Sequence, residues 1–289
     1  MKFHKYHALG NDYLVLDPKN FEKVPSSEAI RRICHRNLGI GSDGILWGTL
    51  NQGEGKENFN LRIFNPDGSE AEKSGNGLRI FCRYLWDQHQ VASNASFRVN
   101  TKGGVVEATV HTDGQEVTVS MGKVSFDSNL IPVKGGAREV LQEKLQIKDQ
   151  VFEFSAASIG NPHCVIRTKQ TSPEMAKKFG PMIENNRIFP NRTNVQFLEI
   201  LDRKNLKLEI WERGAGYTLA SGSSSSAAAA VARKLDWCDR ELNVKMPGGS
   251  LQIIVQEDFQ IIMKGGVTKL FVGEADSELF SYDFLENKA

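Results

Sequence analysis

The chain has 289 residues, with 36 basic and 35 acidic side chains. This length is natural for two domains, and balanced charge without a basic run argues against a nucleic-acid-binding surface. The sequence shows no apolar signal core at its start and no run near the ~20 apolar residues of a membrane helix. It therefore predicts a soluble, cytoplasmic protein that binds neither nucleic acid nor membrane.

Cysteine usage agrees with that prediction. The four cysteines are widely separated and form no C-x-x-C pair: Cys34, Cys82, Cys164 and Cys238. Such spacing is typical of buried small hydrophobic residues in a reducing compartment, rather than of a zinc site or a disulfide framework.

In the first half of the chain, alternating or short apolar runs predict strands, and two runs of helical period predict helices. The predicted strands cover residues 3–9, 13–17, 45–50, 61–64, 97–99, 105–112 and 116–121. One helix is capped by Ser26 and extends to about Asn37. The other begins near Gly75 and runs to Trp86.

The second half predicts a similar series of elements. Strands are predicted at 151–158, 164–167, 194–201 and 207–211, a short helix at 172–179, a hairpin at 248–266, and a last strand at 270–284 that returns to the first domain. The serine and alanine run at 223–230 resembles a low-complexity linker. Its position favours a helix, because serine caps helices and alanine allows close packing on a sheet.

The pattern loosens around residues 123–131, which indicates a domain boundary. We therefore predict one domain from residues 1–122 plus 270–289, and a second domain from residues 123–269.

One stretch occurs twice. Ser74–Gly75 follows an apolar strand and a Gly-rich loop and precedes a helix, and Ser221–Gly222 does the same 147 residues later. The turn Gly10–Asn11 likewise has a counterpart in Gly160–Asn161. Several matched pairs in the same order indicate two copies of one supersecondary plan. Two such copies would put Ser74 and Ser221 on opposite walls of one cleft.

The paired serines suggest a reaction at one carbon. Taken singly, a serine before a helix is most often an N-cap. Two matched serines on either side of one carbon suit removal of a proton from one face and its return to the other. The helix N-termini at Gly75–Asn76 and Gly222–Ser223 would hold a substrate carboxylate and favour the charge that develops on it.

Other candidate residues lie at strand ends and turns. His163 is as well explained by a satisfied polar position as by a place in the cleft. Glu212–Arg213 is either a surface ion pair or a pair that binds an ammonium and a carboxylate. Asparagine is common in turns, yet four of them with a Glu–Arg pair would suit a zwitterionic ligand: Asn11, Asn65, Asn161 and Asn194.

These motifs resemble the diaminopimelate epimerase family over essentially the whole chain. They comprise residues 7–12, 39–44, 67–70, 75–77, 160–163 and 212–216, in that order. The resemblance implies an α/β (α+β) fold of two pseudo-symmetric domains, each a mostly antiparallel sheet wrapped around a central helix. It implies a cofactor-independent isomerase that inverts the α-carbon of diaminopimelate for lysine and cell-wall synthesis, with no metal.

The same resemblance assigns roles to the candidate residues. The distal end of the substrate would be bound by Asn11, Asn65, Asn161, Asn194 and Arg213. Glu212 would be shared between binding and proton transfer, and His163 would assist one base. The helix starts at Gly75, Asn76, Gly222 and Ser223 would grip the reacting carboxylate. The oligomeric state stays open, with a homodimer among the options.

The chain departs from this family at the catalytic pair, where Ser74 and Ser221 stand in place of cysteine. Tyr217 also replaces a usual glutamate, and residues 224–226 replace Gly-Ala-Cys. A thiol is readily tuned to thiolate at a helix N-terminus, whereas a serine hydroxyl needs a neighbouring base. Three explanations stand side by side: a divergent racemase or lyase, an engineered Cys-to-Ser trap, and a non-catalytic amino-acid-binding protein. The concerted changes near Ser221 disfavour engineering.

Overall fold

A computed structural model describes residues 1–50 and 58–280 of the chain. The chain divides into two compact units, one formed by Met1–Val117 with Gly266–Ala289 and the other by Thr118–Gly265. The sequence prediction placed the divisions between the two domains at 122/123 and 269/270, and it stays a prediction. Residues 281–284 of the predicted last strand lie outside the described residues.

Among the described residues, the first unit contains a mixed sheet, two α-helices and two short 3-10 helices. Its strands in chain order are β1 (Lys2–Ala8), β2 (Asn11–Leu16), β3 (Ile45–Leu50), β4 (Asn58–Phe64), β5 (Glu70–Ala71), β6 (Ser96–Thr101) and β7 (Gly104–Val110). Its α-helices are α1 (Ser27–Cys34) and α2 (Gly75–Asp87). Most neighbouring strands pair antiparallel, while β2–β3 and β4–β6 pair parallel.

The division between the units falls within β8 (Glu116–Lys123). The second unit contains β9 (Glu143–Ile147), β10 (Gln150–Ser158), β11 (Pro162–Thr168), β12 (Asn194–Asp202), β13 (Asn205–Glu212), β14 (Gly216–Thr218), β15 (Glu241–Met246), β16 (Gly249–Val255) and β17 (Gln260–Gly266). Its helices are α3 (Pro173–Glu184) and α4 (Gly222–Lys234). Here too the sheet is mostly antiparallel, with the parallel pairs β11–β12 and β13–β15.

The last strand among the described residues, β18 (Thr268–Glu274), pairs antiparallel with β1 of the first unit. The strand predicted at 270–284 therefore ends earlier, at Glu274, and a short 3-10 helix (Ser277–Phe280) follows it. The hairpin predicted at 248–266 is confirmed by the antiparallel pairing of β16 with β17.

Each unit buries one central helix. Helix α2 has buried residues around most of its circumference, and α4 is buried continuously from Ser224 to Ala232. The alanines of α4 allow this because a helix without large side chains can approach a sheet closely. The run 223–230 is therefore the start of a core helix, as predicted, and not a linker.

Several predicted elements differ from the structure in extent, and four strands were missed. The helix expected at 172–179 continues to Glu184, because Gly180 lets α3 lie against Trp211; a Cβ at Gly180 would come within 2.5 Å of the Trp211 Cβ. Helix α1 ends at Cys34 rather than near Asn37. The four strands that were not predicted from the sequence are β5, β9, β14 and β15, although β15 alternates polar and apolar residues.

Candidate active site

Ser74 is the N-cap of the central helix of the first unit. Its backbone is extended, with φ −139° and ψ 118°, and its Oγ accepts a hydrogen bond of 3.0 Å from the Gly77 N–H. A Cβ at Gly77 would be a tight contact, 3.0 Å from the Leu46 Cδ2 and 3.3 Å from the Ser74 Oγ. The hydroxyl of Tyr13 lies 3.3 Å from the same Oγ. Ser74 is therefore both a cap and a neighbour of a phenol.

The start of α2 has positive potential from two sources. The N–H groups of a first helical turn point out of the helix and favour anions. Beneath them lies the guanidinium of Arg79, fully buried, which donates to the Asn76 Oδ1 at 2.9 Å and to the Gly75 carbonyl at 3.4 Å. Burial lowers the pKa of Arg79 to about 10, so the side chain stays charged at neutral pH. This arrangement suits the binding of a carboxylate.

Asn11 and Asn76 join the turn before β2 to the start of α2. The Asn76 Nδ2 donates to the Asn11 Oδ1 at 3.0 Å, and the Asn11 Nδ2 donates to the Asp43 Oδ2 at 2.8 Å. Asp43 is held in turn by Arg36, which also binds Asp12 through two hydrogen bonds. The structure thus brings together three predicted site residues of this unit: Asn11, Ser74 and Asn76.

Asn65 lies at the end of β4, in a turn of its own. Its Nδ2 donates to the Ser69 Oγ at 3.0 Å, and its backbone N–H donates to the Ser69 carbonyl. These bonds hold the loop that leads from β4 to α2, and the side chain is half-buried.

Ser221 is the N-cap of the central helix of the second unit, with nearly the same backbone as Ser74 (φ −143°, ψ 125°). Its Oγ accepts from the Ser224 N–H at 3.3 Å and lies 3.4 Å from the Ser223 Oγ. Ser225 and Ser226 donate to the carbonyls of Ser221 and Gly222, each at 2.8 Å. These bonds satisfy two buried hydroxyls within the helix itself. The two helix starts thus repeat in geometry and differ in the groups around each serine.

His163 is fully buried, with both ring nitrogens hydrogen-bonded. Its Nε2 lies 2.9 Å from the Asn161 Oδ1, and its Nδ1 lies 3.1 Å from the Gln196 Nε2. These bonds fit the neutral ring with its hydrogen on Nε2. Burial and the nearby Arg213 charge lower the pKa of His163 to about 3. The predicted assistance to a base stays a prediction, and these contacts favour a positioning role through Asn161.

Gln196 connects His163 to the serine-bearing helix. Its Nε2 also donates to the Ser224 Oγ at 3.0 Å, and the Ser224 backbone N–H is the donor to the Ser221 Oγ. A buried chain of hydrogen bonds therefore runs from Asn161 to the N-cap serine. The Asn161 Nδ2 also lies 3.5 Å from the Ser223 Oγ.

Asn194 fixes the loop that carries Arg213. Its Oδ1 accepts from the Arg213 backbone N–H at 3.0 Å, and its Nδ2 donates to the Pro162 carbonyl at 2.8 Å. The Arg213 side chain is exposed and donates to the Asn191 carbonyl at 3.1 Å. Asn194 is therefore a support for Arg213, while the guanidinium itself remains accessible to a ligand.

The carboxylate of Glu212 is half-buried, and its Oε2 accepts from the Thr218 hydroxyl at 3.1 Å. Tyr217, which stands where the resemblance implies glutamate, donates to the Glu209 Oε2 at 2.7 Å. Burial and this bond raise the pKa of Tyr217, so the phenol stays protonated.

Glu184 was not predicted from the sequence, yet it organises the loop after Glu212. It is buried and accepts from the Trp211 indole at 2.7 Å, the Gly214 N–H at 3.0 Å and Arg192 at 2.9 Å. The apolar period of α3 continues past Pro181, and that continuation was the signal for a helix long enough to bring Glu184 here. Tyr13 and Gln196 were also missed, because both lie inside ordinary apolar strands.

The described residues contain no group of three or more histidine, cysteine or acidic side chains that could hold a metal ion. Within the same ranges, no helix is long and apolar enough to cross a bilayer. The four cysteines are free and buried, and burial raises the thiol pKa of Cys34 to about 12 and of Cys238 to about 11.

Comparison with known proteins gives one consistent result. A family model described as diaminopimelate epimerase matches residues 3–126 and 155–270. Diaminopimelate epimerase 2 of Nostoc sp. PCC 7120 is 57% identical over 99% of this chain and 100% of its own length. Diaminopimelate epimerase of Moorella thermoacetica is 35% identical over 95% of this chain and 99% of its own.

Among solved structures, a hydroxyproline epimerase from Agrobacterium vitis with bound trans-4-hydroxy-L-proline has a TM-score of 0.71. It covers 95% of this chain and 90% of its own at 13% identity, so it shows a shared fold.

Proposed function

The chain belongs to the diaminopimelate epimerase family, and we propose that it inverts one α-carbon of diaminopimelate, interconverting the L,L and meso isomers without a cofactor. The observation that carries this proposal is the duplicated helix start. In each unit a serine caps a buried central helix with nearly identical backbone angles, and its Oγ lies at the N-terminus of that helix. Such paired sites suit proton removal on one face of a carbon and proton return on the other.

We assign proton transfer to Ser74 on one face of the α-carbon and to Ser221 on the other. The helix starts would bind the reacting carboxylate, because developing negative charge is stabilised by first-turn N–H groups. The buried charge of Arg79 strengthens this effect at the Ser74 side. Arg213 and Glu212 would bind the carboxylate and ammonium at the distal end, Asn11, Asn65 and Asn161 would complete that end, and Asn194 would hold Arg213 in place.

The contacts of each asparagine refine these roles. Asn11 and Asn161 lie at equivalent turns, and each bonds to the region of its helix start. Both polar atoms of the Asn194 amide are hydrogen-bonded to backbone groups of the protein. We therefore assign Asn194 to the support of Arg213 rather than to direct ligand contact.

The four free thiols support a reducing compartment, and we propose a cytoplasmic location. A homodimer stays a prediction.

The test is α-hydrogen exchange. L,L-diaminopimelate is incubated with the protein in heavy water, and the isomers are separated and analysed for deuterium at the α-carbon. The proposal expects deuterium together with a shift toward the equilibrium mixture of isomers. Thermal stabilisation by diaminopimelate without any exchange would instead identify a binding protein. Release of ammonia or a keto acid from a β-substituted amino acid, with no epimerisation, would identify a lyase.

A further inference from the structure

Serine poses a chemical problem at this site, because an alcohol is far harder to deprotonate than a thiol. A serine that accepts an α-proton must pass its own proton to a neighbour. In the first unit the Ser74 Oγ already accepts the Gly77 N–H, and the Tyr13 hydroxyl lies 3.3 Å from it. Bonds of this kind are often long in a protein without substrate and tighten when it binds.

The repeat between the two halves of the chain is a second observation that singles out Tyr13. Aligning the turns Gly10–Asn11 and Gly160–Asn161 puts Tyr13 opposite His163, two residues after each asparagine. Both positions therefore carry a ring that can exchange protons. His163 is connected to its helix start through Gln196 and Ser224, whereas Tyr13 contacts the capping serine directly. The sequence identified His163 as a candidate site residue, and the contacts in the structure identify Tyr13, its counterpart in the first unit.

The Tyr13 ring is held in place. It is buried, and the backbone of Gly44 packs on it so closely that a Cβ at Gly44 would come within 2.6 Å of the Tyr13 Cε1. Little side-chain freedom has to be lost for the hydroxyl to stay beside Ser74. A phenol also ionises near pH 10 in model compounds, which makes it a better proton carrier than an alcohol.

We propose that Tyr13 is a positioning residue that takes and returns the proton of Ser74, an inference that rests on the proposed function. In one direction Tyr13 starts as the phenolate that is left after it has given its proton to Ser74 in the opposite direction. The α-proton then moves to the Ser74 Oγ while the Ser74 hydroxyl proton moves to the Tyr13 oxygen. The electron pair stays on the α-carbon and its carboxylate until a proton arrives on the opposite face. In the other direction Tyr13 gives its proton to Ser74 as Ser74 protonates the α-carbon. Ser74 is a neutral hydroxyl before and after each step.

The test compares Tyr13→Phe with Tyr6→Phe. Tyr6 is a fully buried tyrosine in the same unit, and its hydroxyl donates to the Asp87 Oδ2 at 2.7 Å. Each variant loses a hydrogen bond of a phenol hydroxyl. We expect Tyr13→Phe to lower kcat by about 10- to 100-fold with KM changed less than about threefold, and Tyr6→Phe to keep kcat within about threefold.

Isomer-resolved exchange separates proton transfer from a structural effect. Each isomer presents its α-hydrogen to one face, so Ser74→Ala should abolish deuterium uptake from one isomer and leave exchange with retained configuration in the other. Tyr13→Phe should lower deuterium uptake from the isomer that Ser74→Ala affects, and it should leave uptake from the other isomer unchanged. Equal loss from both isomers, or no loss, would overturn the inference and leave the proposed function intact. Wild-type protein that exchanges neither isomer would overturn both.

Discussion

At the scale of single residues, each capping serine has two roles that can be measured separately. An N-cap serine stabilises a protein by about 1 kcal/mol relative to alanine, whatever else it does. Ser26 and Ser172 cap α1 and α3 through the same kind of bond, at 3.2 Å to the Ala29 N–H and 3.3 Å to the Met175 N–H. They provide matched controls for Ser74 and Ser221, because they are caps outside the proposed site.

We expect Ser74→Ala and Ser221→Ala to lower the free energy of unfolding by about 1 kcal/mol and to reduce epimerisation by at least about 100-fold. Ser26→Ala and Ser172→Ala should cause a similar loss of stability, because they remove the same bond, and should leave activity near that of the wild type. Urea unfolding measures the loss of stability, and separation of the isomers over time measures the loss of epimerisation. Equal activities in all four variants would contradict the proposed proton transfer.

The double substitution Ser74→Cys with Ser221→Cys tests whether the pocket is built for this chemistry. A thiol ionises near pH 8.5 and is tuned further by a helix N-terminus. We therefore expect epimerisation to rise by about 10-fold or more at pH 8, as measured by isomer separation over time. The matched control is the pair Ser26→Cys and Ser172→Cys, which adds two thiols at caps outside the site. A gain in the control as well would show that the effect is not specific to these helix starts.

At the scale of elements, two parallel strands and one helix form the buried support of the second helix start. His163 on β11, Gln196 on β12 and Ser224 on α4 are each fully buried, and their polar atoms reach one another at 3.0–3.1 Å. A buried polar group without its partner costs about 1–3 kcal/mol. The chain of bonds therefore fixes the helix start more firmly than its apolar neighbours alone would.

We expect Gln196→Leu to lower the free energy of unfolding by about 2 kcal/mol, because it removes the amide donor from two buried acceptors, the His163 Nδ1 and the Ser224 Oγ. Thr171→Val is the matched control: the Thr171 Oγ1 is buried and has no hydrogen-bond partner among the described residues. Removing that hydroxyl should be neutral or slightly stabilising. Denaturant unfolding of both variants provides the measurement, and equal destabilisation would argue against the bond chain.

At the scale of the whole molecule, His163 couples stability to pH. Its pKa is about 3 in the folded protein and about 6.5 when unfolded, since burial disfavours the charged ring. Above pH 6.5 the ring is neutral in both states, and the folded protein keeps its full stability. Below pH 6.5 the unfolded state gains a proton that the folded state does not, so stability falls continuously toward pH 3.

This linkage predicts a loss of about 2 kcal/mol from His163 between pH 7.5 and pH 5, at about 1.4 kcal/mol per pH unit below 6.5. His163→Gln should lose less stability over the same range, although it is less stable at pH 7.5. Urea titrations of the wild type and of His163→Gln at both pH values give the two differences. A wild-type slope no steeper than that of His163→Gln would contradict the buried neutral ring.

The sequence by itself determined the elements whose causes are local. The capping serines, the glycines after them and the apolar periods of α2 and α4 predict two helix starts with one geometry, because capping and helical period act over a few residues. The repeat and its family resemblance also follow from the order of motifs along the chain. The length of helix α3 was underestimated, because its extent depends on the fit of Gly180 against Trp211, a residue far away in sequence.

Only the tertiary structure decided which side chains meet. In the sequence, Tyr13 and Gln196 have the pattern of ordinary strand residues, and Glu184 has the pattern of a residue at the end of an amphipathic helix. Their partners are Ser74, His163 and Gly214, each many positions away. Hydrogen bonding between distant residues depends on strand register and helix packing, which no local pattern encodes. For this reason the sequence could identify the two serines, but the neighbours that support each of them could be read only from the folded chain.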